Sequence, residues 1–312
     1  MATMKAVRMH AYGAPDVLKY EDAPRPEPAA GEVLVRIHAA AVNPVDWKIR
    51  AGYLKAFREY PMPLILGWDV SGVVESVGAG VSDWKPGDAV YSRPDIGRDG
   101  AYAEYIAVKA TELGRKPKNL DHVHSAAIPL AALTAWQAMF EAGRLMAGER
   151  VLIHAAAGGV GTFAVQLAKW KGAYVIGTAS AQNHDFLRDL GADEVIDYQT
   201  TPFEKAVRDV DVILDAMGGE TRQRSWQVLK KGGILVSIVG PPSAEDAAAH
   251  GVRQASVFVQ PNRSQLEEIA QLADAGKLKP IIEAVLPLSE AARAHEMNQT
   301  LHTRGKIVLQ VV

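Results

Sequence analysis

The sequence of 312 residues contains no cysteine. That absence excludes disulfides, thiol nucleophiles and every zinc site built on thiolates. The nine histidines do not make up for it. None forms an H-x-x-x-H pair, and His122 and His124 stand too close in sequence to pair on one helical face. Charge of either sign is also scarce in excess. A formal net charge of -2 gives no broad attraction to a phosphate backbone or an anionic membrane, so nucleic acid is not an expected partner. Long apolar runs are missing too. The opening MATMKAVRMHAYGAPDVLKYEDAP has no continuous segment suited to a signal core, and nothing later approaches a membrane span. A cytoplasmic location without membrane attachment is the expectation.

What is present has the balance of a soluble globular protein, with 48% hydrophobic and 22% charged residues, and the length calls for two domains or one elaborated domain. Up to about Ala110 the chain reads as short beta-prone runs cut by glycine and proline: KAVRMH, EVLVRIHAAAV, DVSGVVESVG, DAVYSRP and AYAEYIAV. Such runs predict an antiparallel, partly barrel-like, β-rich domain. From Val151 strands and helices alternate, through VLIHAA, TFAVQLAKWKG, YVIGTAS, HDFLRDLGA, EVIDY, VDVILDAMGG, TRQRSWQVLKKGG and ILVSIVG. That rhythm predicts a parallel, doubly wound sheet, so the fold class is α/β. Between them SAAIPLAALTAWQAMFEAGRL is apolar at helical spacing, which puts the first boundary near Ser125. An amphipathic helix in RSQLEEIAQLADAGKL, a short helix from Ser289 and a strand-like KIVLQVV follow, and belong clearly to neither part.

The stretch VLIHAAAGGVGTFAVQLAK, residues 151–169, runs from a buried strand through a glycine turn into a helix. Free N–H groups at such a helix start suit a pyrophosphate. The G-x-G-x-x-G pattern is imperfect, because Ala156 stands in place of the first glycine ahead of Gly158 and Gly161. A tight turn without a ligand is the competing reading. The next strand, YVIGTAS, ends on Ser180 where a ribose-reading carboxylate would select NAD. A small hydroxyl accepts a 2'-phosphate that a carboxylate would repel, so NADPH is favoured. His184 and Arg188 lie nearby but suit a solvated helix face.

With these residues in place, the chain resembles the zinc-independent, zeta-crystallin-like quinone oxidoreductases of the medium-chain dehydrogenase/reductase superfamily. The likeness runs through MKAVRMHAYGAPDVL, AAVNPVDWKIRAGY, PLILGWDVSGVVESVG, WKPGDAVY, AYAEY, IPLAALTAWQA, the glycine turn, LGADEVIDY, VDVILDAMGG and GKIVLQV. It implies a GroES-like catalytic domain over residues 1–124, a Rossmann domain over 125–261, and a segment 262–312 that returns to the first domain. Where the superfamily's alcohol dehydrogenases carry a zinc-ligand Cys and a Gly-His-Glu, this chain reads Asn43-Pro44-Val45-Asp46 and Gly67-Trp68-Asp69. The resemblance therefore implies no metal site.

It implies roles for single residues as well. Asn43 lies near the nicotinamide and in the active site, with a turn cap before Pro44 as its alternative. Thr134, Gly158, Gly159 and Val160 face the cofactor, Tyr198 stands beside the 2'-phosphate, and the backbone at Phe258 and Val259 holds the carboxamide. Asp46 is expected to orient its loop, while Arg304 and Lys306 suit either the phosphate or the surface. Gln182 stands where many NADPH-using relatives have a basic residue, which weakens the NADPH preference without reversing it. Trp47, Tyr53 and Trp68 are candidates to line a substrate pocket, Trp68 being better suited to core packing; Tyr53 lies in an irregular loop and has a hydroxyl to offer.

The implied reaction is hydride transfer from NADPH to a quinone. An enone, alkenal or enoyl-thioester reductase is the alternative within the superfamily, and an NADPH-binding sensor or structural protein the alternative outside catalysis. A homodimer is expected through a Rossmann edge strand, ILVSIVG or SVFVQP.

Overall fold

Val33, Leu34, Val35 and Ile37 give Glu32–Val42 the β-branched and aliphatic character of a buried strand, and all four are buried. This strand organises the first of two units in the computed structural model, which describes residues 2–312. Val70–Val77 pairs antiparallel along one edge of it. The other edge is shared, the early half by Tyr105–Lys109 and the late half by Lys306–Gln310. Ala89–Ser92 and Leu113–Arg115 extend the sheet beyond Val70–Val77, and Ile282–Pro287 closes the far side in parallel with Lys306–Gln310. A smaller sheet places Thr3–Met9 between Leu18–Pro24 and Leu64–Ile65. Ala39 and Ala41 are fully buried, and their short side chains let the helix His122–Ala126 settle on the strand, where Ala126, Ala127 and Val308 complete a cluster.

This unit comprises the chain up to Leu130 together with Pro261–Gly276 and Pro280–Val312. The amphipathic segment after residue 262 is the helix Arg263–Asp274, capped by the Asn262 side chain on the Gln265 N–H at 3.1 Å.

Ala131–Gln260 and Lys277–Lys279 form the second unit. Its six parallel strands run in the order Glu194–Asp197, Tyr174–Ala179, Arg150–Ile153, Val210–Asp215, Leu229–Ser237, Arg253–Ser256. Val210–Asp215 is buried along its whole length, as a strand covered on both faces must be. Leu152, Ile176, Ile213, Leu235, Phe203 and Trp226 belong to the core on one side. Strand order reverses between Arg150–Ile153 and Val210–Asp215, the kind of switch point where α/β sheets receive ligands. The alternating rhythm of the sequence is thus realised as the Rossmann arrangement, and the first unit is the GroES-like β-rich one.

Two expectations change. ILVSIVG is an inner strand, whereas SVFVQP begins at the end of an edge strand, Arg253–Ser256, the other edge being Glu194–Asp197. LKKGG, read with a helix, belongs to the strand Leu229–Ser237, because the helix ends at Ser225. Gly232 there has a φ of 77°, and the pairing shifts register between Val210 and Val212. Among the described residues no helix is long and apolar enough to cross a membrane.

Candidate active site

In the second unit, the strand Arg150–Ile153 leads through His154, Ala155, Ala156 and Ala157 to Gly158, which starts the helix Gly159–Lys171. Ala155 has a φ of 51°, a left-handed conformation that a residue with a Cβ adopts at some cost. Gly161 is required by close approach: a Cβ there would lie 2.3 Å from the Ala155 carbonyl oxygen and 2.6 Å from that of Ala156. Gly177 on the neighbouring strand is required likewise, since its Cβ would meet that of Ala156 at 2.9 Å. The turn is therefore clamped against the sheet. No side chain caps the helix start, so its first N–H groups and the positive end of its dipole remain available to an anion. These features suit a nucleotide pyrophosphate.

Buried groups hold the turn from beneath. His154 donates from Nε2 to Ser225 Oγ at 2.9 Å, because that hydroxyl spends its own proton on the Thr221 carbonyl at 2.7 Å. Its Nδ1 then accepts from Thr178 Oγ1 at 3.2 Å. Burial drives the imidazole down to about 4, which keeps it neutral. At the end of Val210–Asp215, the buried Asp215 carboxylate takes the Met217 and Gly218 N–H groups and the Arg222 guanidinium at 2.6 Å, which together hold it below the usual carboxylate range despite burial.

Ser180 follows the strand Tyr174–Ala179 and accepts from Asn183 Nδ2 at 3.1 Å. Tyr198 is exposed, Phe258 is exposed and Val259 is buried. No local pattern marks Gln137 as the residue that fixes this last segment. Its amide donates to the Gln260 carbonyl and accepts from the Gln260 N–H, both at 2.9 Å. Gln137 opens a π-helical turn, Gln137–Ala142, that continues Pro129–Trp136. Thr134 is buried within the latter. Arg188 pairs with Asp185 on the helix surface at 2.8 Å.

The first unit gathers a polar cluster around Asn43. Asn43 precedes the helix Pro44–Arg50 in extended conformation, and its N–H donates to Asp46 Oδ2 at 2.8 Å. The two residues form a capping box, and the Asn43 amide bonds elsewhere as well. Nδ2 donates to Asp69 Oδ2 at 2.8 Å, while Oδ1 accepts from the Lys306 ammonium. Lys306 also lies 3.0 Å from Asp69 Oδ2, and the Leu130 N–H donates to Asp69 Oδ1 at 2.6 Å. All of these side chains are buried. Burial pushes the Asp69 carboxyl up, against the pull of Lys306, Asn43 and the Leu130 N–H. Lys306 is thus neither a surface residue nor free for a phosphate, since it spends its charge inside this unit.

A second chain of bonds reaches Asp46 from the helix Ala291–Gln299. Arg50 donates to His295 Nδ1 at 3.3 Å and to Gln299 at 3.0 Å. His295 must then carry its proton on Nε2, which lies 3.2 Å from the Tyr102 hydroxyl, and Tyr102 donates to Asp46 Oδ2 at 2.8 Å. Burial and Arg50 hold His295 down at about 3. Burial lifts Asp46 to about 7, against the Asn43 and Tyr102 hydrogen bonds, and its Oδ1 has no partner. Trp47 donates to Asn298 at 3.1 Å and meets the exposed Tyr53 ring edge-on at 6.0 Å. Trp68 is fully buried and donates to the Arg98 carbonyl. Sequence reasoning missed Tyr102, His295 and Arg50, because no local pattern relates residues so far apart.

Residues 29–118 match the family model of the alcohol dehydrogenase GroES-like domain, and residues 190–309 that of zinc-binding dehydrogenase. The mitochondrial NAD(P)H oxidoreductase RTN4IP1 of Danio rerio is 36% identical over 96% of this chain and 89% of its own length. The chloroplastic NADPH-dependent alkenal/one oxidoreductase of Arabidopsis thaliana is 37% identical, covering 98% of this chain and 79% of its own. The solved structure of the quinone oxidoreductase from Coxiella burnetii superposes with a TM-score of 0.92 at 37% identity, over the whole of both chains.

Proposed function

The chain belongs to the medium-chain dehydrogenase/reductase superfamily, and from that membership we propose that it is a metal-independent reductase that uses NADPH to reduce a quinone. The observation that carries the nucleotide half is the uncapped start of Gly159–Lys171 beside a strand that ends on Ser180 instead of a carboxylate. Gly159 and Val160 bind the pyrophosphate through backbone N–H groups, Gly158, whose own N–H closes the turn on the Ala155 carbonyl, lets the phosphate come close, and Ser180 and Tyr198 receive the 2'-phosphate. Thr134 and the Phe258–Val259 backbone, fixed through Gln137, orient the nicotinamide. The bound nucleotide supplies the hydride. Asn43 lies beside the nicotinamide as a fixed wall of the site, its amide committed to Lys306, Asp69 and the Ala41 carbonyl, while Tyr53 presents its hydroxyl to the substrate oxygen, and a quinone is electrophilic enough to need no stronger acid.

Metal independence is supported by the donor set. An ammonium, Lys306, bonds to both Asn43 and Asp69, and its charge opposes a dication there. Trp68, buried and bonded to a carbonyl, supplies no ligand. The Arabidopsis relative's name favours one second reading, reduction of a conjugated enone or alkenal, with the same residues in the same roles. A dimer joined at Arg253–Ser256 and a cytoplasmic location complete the proposal; that strand is supported by its place at the sheet edge.

The test is a fluorescence titration with NADPH and with NADH, followed by addition of quinones, enones and alkenals to the tighter complex. Tight NADPH binding with rapid oxidation by a quinone is expected. Binding without oxidation by any acceptor would replace catalysis with sensing, and failure to bind either nucleotide would remove the reading altogether.

A further inference from the structure

Arg93 directly follows the strand Ala89–Ser92, and its side chain is buried, with 2% of the residue exposed. Among the described residues it makes no hydrogen bond or ion pair, and its Nε is sealed from solvent without a partner. An arginine keeps its charge inside a protein, so the guanidinium fork stands unspent, with its Nε–H sealed from solvent. Burial pulls it below its ordinary range, while Asp69, Asp95 and Glu112 pull it back.

The carboxylates around it cannot discharge it, because each is committed elsewhere. Val70 pairs with Ser92 across the antiparallel ladder, which brings Asp69 opposite Arg93. Both Asp69 oxygens are taken, Oδ1 by the Leu130 N–H and Oδ2 by Asn43 and Lys306. Asp95 accepts from the Gly97 N–H at 2.9 Å and from Lys109 at 3.4 Å. Glu112 accepts from the Asp95 N–H at 3.1 Å and pairs with Lys109 at 3.3 Å. The remaining neighbour, Tyr60, is neutral and buried, and burial raises its hydroxyl further. A planar fork of donors with no internal partner, next to the Asn43 cluster, is matched by two oxygens in a plane.

We propose that Arg93 is a substrate-anchoring residue that pairs with a carboxylate on the conjugated carbonyl compound this chain reduces. The inference rests on the reductase reading and narrows it from neutral quinones and enones to acceptors that carry an acidic group. The ligand carboxylate accepts the guanidinium hydrogen bonds that Asp69, Asp95 and Glu112 do not, although their charge attracts it. A buried cation kept without a partner lowers stability unless function needs it, so anchoring also accounts for why an apolar side chain does not stand here.

The experiment uses two enones of the same skeleton, acetylacrylate, which bears a carboxylate, and ethylideneacetone, which has a methyl in its place. Each is titrated calorimetrically into the NADP⁺-loaded chain, where no hydride is available, and into its Arg93→Met and Arg93→Lys variants, with NADPH oxidation by each enone followed in separate assays. Wild type is expected to bind acetylacrylate about tenfold to a hundredfold more tightly than ethylideneacetone, the usual range for a charge-assisted pair. Arg93→Met should abolish that difference while its thermal midpoint stays level or rises, and Arg93→Lys should restore part of it. Equal affinity of wild type for the two enones would overturn the anchor, and so would loss of both ligands together with a lowered midpoint in Arg93→Met. Arg93-dependent binding of acetylacrylate without NADPH oxidation would uphold the anchor and sink the reductase reading; oxidation by both enones without discrimination would do the reverse.

Discussion

Lys306 and Asn43 lie 263 residues apart in sequence and are joined by a hydrogen bond from the ammonium to the side-chain carbonyl of the asparagine. The bond fixes which way the Asn43 amide faces, because the opposite end of that amide donates to Asp69. An asparagine held between a cation and an anion cannot flip without losing both partners. Its orientation is set by the final strand, Lys306–Gln310, which pairs with the same Glu32–Val42 strand that leads into Asn43.

Removal of the cation alone should therefore be costly. Lys306→Met leaves the Asp69 carboxylate buried without its counter-charge, and a loss of about 3 to 5 kcal/mol is expected. Adding Asp69→Asn removes the stranded charge and should return part of that loss. Urea denaturation of the two single variants and the double variant measures the coupling. Strictly additive losses would mean that the ion pair contributes nothing of its own.

The turn at Gly158–Gly161 yields a prediction about ligand binding. Gly161→Ala places a methyl 2.3 Å from the Ala155 carbonyl, so the turn must move and its N–H groups lose their aim. Affinity for NADPH should fall about tenfold or more, with the thermal midpoint lowered only modestly. Ser180→Asp should leave the turn intact and reverse the preference toward NADH, by repulsion of the 2'-phosphate. Titration of each variant with the two nucleotides checks both, and an unchanged ratio in Ser180→Asp would remove Ser180 from the phosphate site.

The alternation from VLIHAA onward is strong enough to read the parallel sheet directly, because inner strands such as Val210–Asp215 are covered on both faces and carry long apolar runs. Short strands such as Leu64–Ile65 and Leu113–Arg115 leave no such trace, since they carry too few residues for any period to show. Asn43 is visible through its N-x-x-D spacing, but its partners are not. Lys306, Tyr102 and His295 reach it and Asp46 from separate elements, through tertiary pairing that no local pattern encodes. The same holds for Gln137, whose grip on Gln260 spans 123 residues.

The buried His154 sets an acid limit on stability. Its pKa is lowered in the fold to about 4, so between about 6.5 and 4 the unfolded chain binds a proton that the folded chain refuses. Stability from this group is present above that window and is lost as pH falls through it, by roughly 3 kcal/mol. His154→Gln cannot titrate, and its stability curve should converge on that of wild type as the pH drops. Denaturation midpoints collected from neutral to acid pH test this, and parallel curves would mean that the ring titrates normally.

Asp46 acts in the opposite direction. Burial raises its carboxyl from the ordinary 3.8 to about 7, so the folded chain keeps a proton that the unfolded chain gives up across that window. Stability contributed by the protonated form is complete below the window and declines as pH rises through it, by roughly 4 kcal/mol in all. Asp46→Asn keeps an acceptor for the Asn43 N–H but has no proton to lose. Its stability curve should therefore approach that of wild type from below as pH increases toward 7 and run parallel above it, the mirror image of His154→Gln. Measuring both variants over one pH series separates the two groups by the sign of their convergence. Curves for Asp46→Asn that run parallel throughout would show that the Tyr102 and Asn43 hydrogen bonds hold the carboxylate ionised after all, and that the bonds running from Arg50 through His295 and Tyr102 end on a permanent charge instead of a titrating acid.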